Sequence, residues 1–221
     1  MRFIAACSSS LAAALLAIAA HAEEPREPAA LGLVELMDRM AATSGVIADF
    51  REQKQISLLE KPLESSGQIY FVPPNRLVRF TLEPDPSALI IDGEKLRFQQ
   101  GASAKFDLSG NPMARIFIDN FIVLFNGDLP KLQDLYYTNF SAEGNSWSLI
   151  LEPRRSPLRG IVKEIALRGN QKGIREIVVQ NWDGDRTSTT FDVINTDYHF
   201  TDDQLEDLFA EGIVPVTVTI R

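Results

Sequence analysis

The sequence predicts an α+β protein built around one large antiparallel sheet, and three observations carry that expectation. Residues Glu64 to Leu96 read as four strands joined by short turns. A second strand-rich stretch runs from Tyr136 to Val193, with turn signals at Gly144-Asn145, Gly169 to Gly173 and Asp183-Gly184-Asp185. Between them lies Pro112 to Asn126, a helical segment that is apolar over more than one face.

The chain opens on a targeting pattern. Arg2, the apolar run Leu11 to Ala20 and the small residues of Ala20-His21-Ala22 predict a signal peptide over residues 1–22 that is removed. The run is shorter than the roughly 20 residues a bilayer span needs. Cys7, the single cysteine of the sequence, precedes that run and leaves with it. The mature chain then has no thiol for a disulfide, a nucleophile or a metal. Residues 23–30, with two prolines and three glutamates, are expected to form a flexible leader, and residues 31–221 one domain.

Leu33, Leu36, Met37 and Met40 recur at helical spacing, so a helix is expected from Leu31 to Thr43, with Gly45 just beyond its end. A strand follows in which Ala48, Phe50, Glu52 and Lys54 share a face that turns polar towards its end. Gln68 to Val72 is the next strand, stopped by Pro73-Pro74-Asn75. In Arg76 to Glu83, Val78, Phe80 and Leu82 share one face while Leu77, Arg79 and Thr81 share the other. Ala88 to Ile91 and Lys95 to Phe98 flank Asp92-Gly93-Glu94, a hairpin signal because glycine accepts positive φ at little cost.

Asn111 suits an N-cap and Pro112 the first turn of the apolar helix. That helix is either a central core element or has one side packed and another lining an apolar cavity. Leu129 to Leu135 adds a short turn of helix. Strands are expected at Tyr136 to Ser141, Trp147 to Leu151, Val162 to Arg168, Ile174 to Gln180 and Thr187 to Val193. Thr201, Gln204 and the acids around them read as a capped helix start anchored by Leu205, Leu208 and Phe209. Val214 to Ile220 alternates as a last strand. Roughly ten strands in one sheet must curl or close to hide their edges.

Composition and motifs exclude several functions. With 22 basic against 30 acidic residues the chain lacks the basic footprint of a nucleic-acid binder. No phosphate loop, HExxH, EF-hand or nucleophile elbow is present, so no catalytic or metal residue is assigned and no cofactor is expected. After the signal segment the one histidine is His199, read as packing beside Tyr198 and Phe200. Asp183-Gly184-Asp185 reads as a turn rather than a calcium loop, and Asp202, Asp203, Glu206 and Asp207 as a solvated helix start. Arg154, Arg155 and Arg159 around Ser156-Pro157 form a surface loop, with contact to an acidic partner or a lipid headgroup as the alternative.

Several positions together resemble the LolA-type periplasmic lipoprotein carriers. Ala48 to Lys54 is similar to the family's first strand with its Phe-x-Gln ending. Gly67 to Val72 with Pro74-Asn75 resembles its Gly-x-Leu-Trp-x-x-Arg-Pro-Asn region. Glu83-Pro84-Asp85 and Ile91 to Leu96 resemble the next turn and hairpin, and Pro112 to Asn126 the internal helix. Residues 31 to 100 carry most of the likeness.

The resemblance implies an incomplete, strongly curved antiparallel half-barrel of about 10–11 strands, with helices capping its open side and a hollow that holds acyl chains. It implies a monomeric periplasmic carrier, not an enzyme. Such a carrier takes a lipoprotein, glycolipid or other lipidated cargo from an inner-membrane transporter to an outer-membrane acceptor. A lipid- or misfolded-protein-sensing regulatory module on the same fold is the alternative. With strand alternation, the resemblance assigns cargo contact to Leu77, Arg79, Leu89, Phe117 and Phe121. Two positions depart from the family. Pro73 stands where carriers have an arginine that ties the lid, and Arg79 stands where they have a tryptophan.

Overall fold

A computed structural model of the chain describes residues 31–101 and 104–210; of Ala104, Phe117, Phe121 and Val193 it describes the backbone alone. The expected signal peptide, the leader and the strand Val214 to Ile220 lie outside the described residues.

The first helix, α1, spans Leu33–Ala41. Six strands follow: β1 Val46–Gln55, β2 Leu63–Val72, β3 Arg76–Glu83, β4 Ser87–Asp92, β5 Lys95–Gln100 and β6 Ala104–Asp107. Helices α2 (Pro112–Asn126) and α3 (Leu129–Leu135) lead into β7 Tyr136–Glu143, β8 Ser146–Pro153, β9 Val162–Asn170, β10 Gly173–Asn181 and β11 Arg186–Asn195, and α4 spans Asp202–Phe209. Among the described residues the strands form one 11-stranded sheet in the order β6-β5-β4-β3-β2-β1-β11-β10-β9-β8-β7. It is an open antiparallel sheet with helices packed on both faces, the α+β half-barrel expected from the sequence. The short edge strand β6 and the 3-10 turn at Leu158–Gly160 went unforeseen, because neither carries an alternating apolar pattern.

Two meanders, β1 to β6 and β7 to β11, meet where β1 pairs with β11. Register slips between Ser66 and Gly67 in β2 and at Ile174/Glu176 in β10 mark bulges, which increase local twist and bend the sheet. Gly67 pairs with Phe50, and a Cβ there would collide with the Phe80 carbonyl oxygen and press on the Phe50 ring.

The concave face carries the main core. Leu36 and Met37 of α1, Ile122, Val123 and Leu124 of α2, and Leu132 of α3 pack on buried strand residues including Phe71, Leu149, Leu151 and Leu167. The Asn111 side chain accepts from the Met113 and Ala114 amides at the start of α2. At its end Gly127 adopts φ 64°, and a Cβ there would strike the Met37 carbonyl and the Ala41 amide, so glycine lets α2 and α1 approach.

The convex face is covered as well. Leu208 and Phe209 of α4 pack with Ile47, Tyr70, Val78, Phe80, Ala88 and Ile90. The Arg76 guanidinium lies 3.8 Å from the Phe209 ring centre. Arg97 donates to the carbonyls of Phe209 and Ala210, filling acceptors that a helix end leaves open. The expected cap of α4 is present as a reciprocal Thr201–Gln204 box. His199 itself is exposed, and it is its neighbours Tyr198 and Phe200 that pack, because strand-like alternation turns His199 outward.

Replacing Gly67 with valine should lower stability by about 1–3 kcal/mol through overpacking against Phe80 and Phe50. Urea denaturation checks this, and an unchanged midpoint would contradict the close packing at the bulge.

Candidate binding site

The helices do not fill the concave face. A cavity of about 330 Å³ remains, lined by Phe50, Ile69, Leu77, Leu89, Ile91, Ile118, Ile177, Val179 and Phe191, with Glu52, Arg79, Thr187 and Thr189 as its polar residues. Alternation places these side chains together. Leu77 pairs with Ile91, Arg79 with Leu89 and Ile69, Phe50 with Phe191, Glu52 with Thr189, and Thr187 with Val179. These pairs form five successive rows running diagonally across the sheet. Among the described residues, α2 is the one helix that reaches the cavity wall, through Ile118. A smaller hollow of about 120 Å³ under α1 shares Ile69 and Phe191 with it, so one apolar wall serves both. A wider depression of about 540 Å³ is bordered mainly by charged and hydroxyl side chains such as Arg51, Glu64, Glu83 and Ser188, and offers no apolar enclosure.

One charged pair sits in the greasy wall. Arg79 Nη2 lies 3.1 Å from Glu52 Oε1, with the two side chains only 26% and 25% exposed. Arg79 Nη1 donates to Thr81 Oγ1 at 3.2 Å, and the guanidinium lies 4.2 Å from the centre of the Phe50 ring. Thr189 Oγ1 donates to Glu52 Oε2 at 3.1 Å. Burial draws the Arg79 pKa below the usual guanidinium value, and the charge of Glu52 opposes that pull. Arg79, where the resemblance led one to expect a tryptophan, is thus a cation stacked on Phe50 and matched by an internal carboxylate.

The far row of the cavity, Val179 and Thr187, lies towards the sheet end that carries the loops 56–62, 154–161 and 182–185. These loops are tied together. The Ser57 amide and hydroxyl donate to Asp185, Trp182 Nε1 donates to the Arg159 carbonyl, and the Trp182 amide donates to the Ile161 carbonyl. This rim gathers exposed apolar side chains: Leu58 is 92% and Trp182 62% exposed, beside Leu59, Leu63, Tyr137 and Ile161. Asp183-Gly184-Asp185 is a turn that anchors the loop between β1 and β2. In the arginine loop, Arg155 pairs with Asp134 at 2.8 Å and the Arg154 guanidinium lies 4.3 Å from the Tyr137 ring centre.

Leu77, Arg79 and Leu89, three of the five residues singled out by sequence, line the cavity together. Phe117 and Phe121 lie on α2, the helix that supplies Ile118. Sequence reasoning missed Ile177, Val179, Thr187 and Thr189, because their place depends on the β1–β11 ladder between residues far apart in the chain. Glu52 carried a signal, the polar end of an otherwise apolar strand face.

Residues 25–203 match the family model described as outer membrane lipoprotein carrier protein LolA-like. No curated protein matches the chain. Among solved structures, the LolA superfamily protein NE2245 from Nitrosomonas europaea is 11% identical, with 77% of this chain and 94% of that one covered and a TM-score of 0.42. A DUF1329 family protein from Desulfovibrio piger is 12% identical over 77% of this chain and 92% of that one, with a TM-score of 0.43. The MucA/MucB complex of Pseudomonas aeruginosa contains a chain 14% identical, covered to 60% against 78% of this one, with a TM-score of 0.46.

Changing Arg79 to methionine alone should destabilise the fold by about 2–4 kcal/mol by stranding Glu52, whereas changing both to methionine should recover to within about 1 kcal/mol of the parent. Denaturation of the two variants decides it; equal losses would mean the pair is not coupled. Asp185, held below the usual carboxylate range chiefly by the Ser57 amide and then by its hydroxyl, should keep the rim loop pinned at neutral pH. Because its folded pKa is depressed, that tether is fully present above the ordinary aspartate value and is lost as pH falls through the folded value. NMR titration of the Ser57 amide should therefore show its shift change below the ordinary aspartate range.

Proposed function

The chain belongs to the LolA-like family of outer membrane lipoprotein carrier proteins, and on that premise we propose that it shelters the acyl chain of a lipidated cargo in the periplasm and moves it from an inner-membrane transporter to an outer-membrane acceptor. The observation that carries this reading is the apolar cavity left open beside α2. An acyl chain in water is unfavourable by about 0.8 kcal/mol per methylene, and a preformed apolar hollow reduces that penalty. At about 330 Å³ the cavity falls at the low end of the roughly 300–1,000 Å³ of ligand sites. Leu77, Arg79 and Leu89 from the sheet, with Phe117 and Phe121 from α2, are the proposed cargo contacts.

The packing of α2 suits a lid. Its second half is fixed by buried Ile122, Val123 and Leu124 and by the close approach at Gly127. The described side chains of its first half are half-buried or exposed, and Arg115 ties it to the β4–β5 hairpin through Glu94, 3.1 Å away and in contact with solvent. An exposed pair of this kind is worth about 0–1 kcal/mol, so it holds the lid without locking it. It takes over the role that Pro73 cannot fill. The apolar rim is then where cargo passes to a membrane-bound partner.

Native mass spectrometry of the protein isolated from periplasm should show a stoichiometric lipid or lipoprotein. Changing Ile118 to glutamate, or Leu89 to tryptophan to fill the hollow, should remove that mass while the protein stays folded. An empty parent protein, or full cargo retention in both variants, would overturn the reading.

A further inference from the structure

Six of the nine large apolar side chains that the described residues leave exposed stand at one end of the sheet: Leu58, Leu59, Leu63, Tyr137, Ile161 and Trp182. A gathering of that kind marks a surface that meets another apolar body. These are not loose loop tips. The Ser57 amide and hydroxyl hold the Leu58 loop to Asp185, and Trp182 is fixed to the 154–161 loop through its amide and its indole N–H. That N–H, the one polar group of the side chain, is satisfied inside the protein, so the ring leaves water without stranding a donor. Cations sit among the apolar groups. Lys61, Arg159 and Lys163 are exposed and form no ion pair among the described residues, with Lys163 Nζ 5.9 Å from the Trp182 ring centre. Of the acids in the same three loops, Asp185 is engaged by Ser57 and Asp183 by the Asp185 amide, which leaves Glu60. The chain as a whole carries a net charge of −8, so this balance is local.

From these features we infer that the rim docks on the surface of an anionic bilayer. Leu58, Leu59 and Trp182 enter the boundary between headgroups and acyl chains, and Lys61, Arg159 and Lys163 meet the lipid phosphates. A protein partner fits the rim less well. Cores of protein interfaces are depleted of lysine, whereas this patch interleaves cations with its apolar tips. A fluid layer of chains beneath phosphates accepts that mixture without a matching contour. Glu83 and Asp85 of the β3–β4 turn share this end of the sheet beyond β2, so repulsion tilts the docked molecule onto its β7–β11 side. Contact through a few side chains is shallow and reversible. The inference stands on the rim alone and needs no cargo in the cavity. It goes beyond the carrier reading by making the bilayer itself a surface that the molecule touches.

The test is co-sedimentation of the purified protein with vesicles of phosphatidylethanolamine and phosphatidylglycerol, and with vesicles of phosphatidylcholine alone. Trp182 is a built-in reporter, because the chain has two tryptophans and the other, Trp147, is buried. The protein should sediment with the anionic vesicles, less so as salt rises, and its emission should move to the blue. Leu58→Ser should weaken binding about tenfold, the worth of withdrawing one leucine from water. It should leave the fold untouched, since that side chain is 92% exposed. Lys61→Ser/Arg159→Ser should cost about twentyfold on the anionic vesicles and little on phosphatidylcholine. Leu89→Trp, which fills the cavity, should bind vesicles as the parent does. No sedimentation with either vesicle, or binding that Leu58→Ser leaves unchanged, would overturn the inference. So would a photo-crosslinker at position 58 that labels a membrane protein and no lipid in membrane fragments. None of these outcomes bears on whether the cavity holds cargo, and an empty cavity leaves the expected vesicle binding as it is.

Discussion

The ladder between β1 and β11 is the contact on which the molecule depends. It joins residues near position 50 to residues near position 190, and it is the only pairing that brings the two meanders into one sheet among the described residues. β1 is central by consequence, hydrogen-bonded on one side to its own hairpin partner and on the other to the last strand of the second meander. The cavity lies across this seam. Phe50 and Glu52 of β1 stand between Ile69 and Arg79 on one flank and Ile177, Thr189 and Phe191 on the other. Without the ladder each half would keep local hairpins but present no enclosed wall.

A hollow in an apolar core is an unstable proposition, because packing usually closes space that water does not fill. Three features hold this one open. Bulges in β2 and β10 add local twist and bend the sheet. Gly67 lets the Phe50 ring lie across a strand without pushing its neighbours apart, and the ring in turn carries the Arg79 guanidinium. The Arg79–Glu52 pair places two solvated-by-preference groups in the wall, which resists collapse because burying either one alone is unfavourable. Meanwhile α4 braces the outer face of β2 to β4, with Arg76 and Arg97 gripping its end. The curvature is therefore supported from behind while the concave side stays partly vacant.

Much of this was legible from local sequence. The hairpin at Asp92-Gly93-Glu94 forms where its turn chemistry predicts, with Gly93 at φ 63°. The ends of α2 are set by Asn111, Pro112 and Gly127, each a residue whose conformational preference is intrinsic. Leu77, Arg79 and Leu89 share a face because strand side chains alternate, a rule that needs no knowledge of neighbours. The α4 box between Thr201 and Gln204 was equally readable.

What the sequence by itself determined was thus the inventory of strands and helices, their caps and turns, and which side chains within one strand point the same way, because these follow from interactions among residues close along the chain. Only the tertiary structure decided that both faces of β3 are buried, that Glu52 rather than a ligand meets Arg79, and that Thr187, Thr189, Ile177 and Val179 complete the wall. The last of these outcomes rests on a register set between strands some 140 residues apart. A shift of one residue there would turn every such side chain to the other face, and nothing local in either strand encodes which partner it will find.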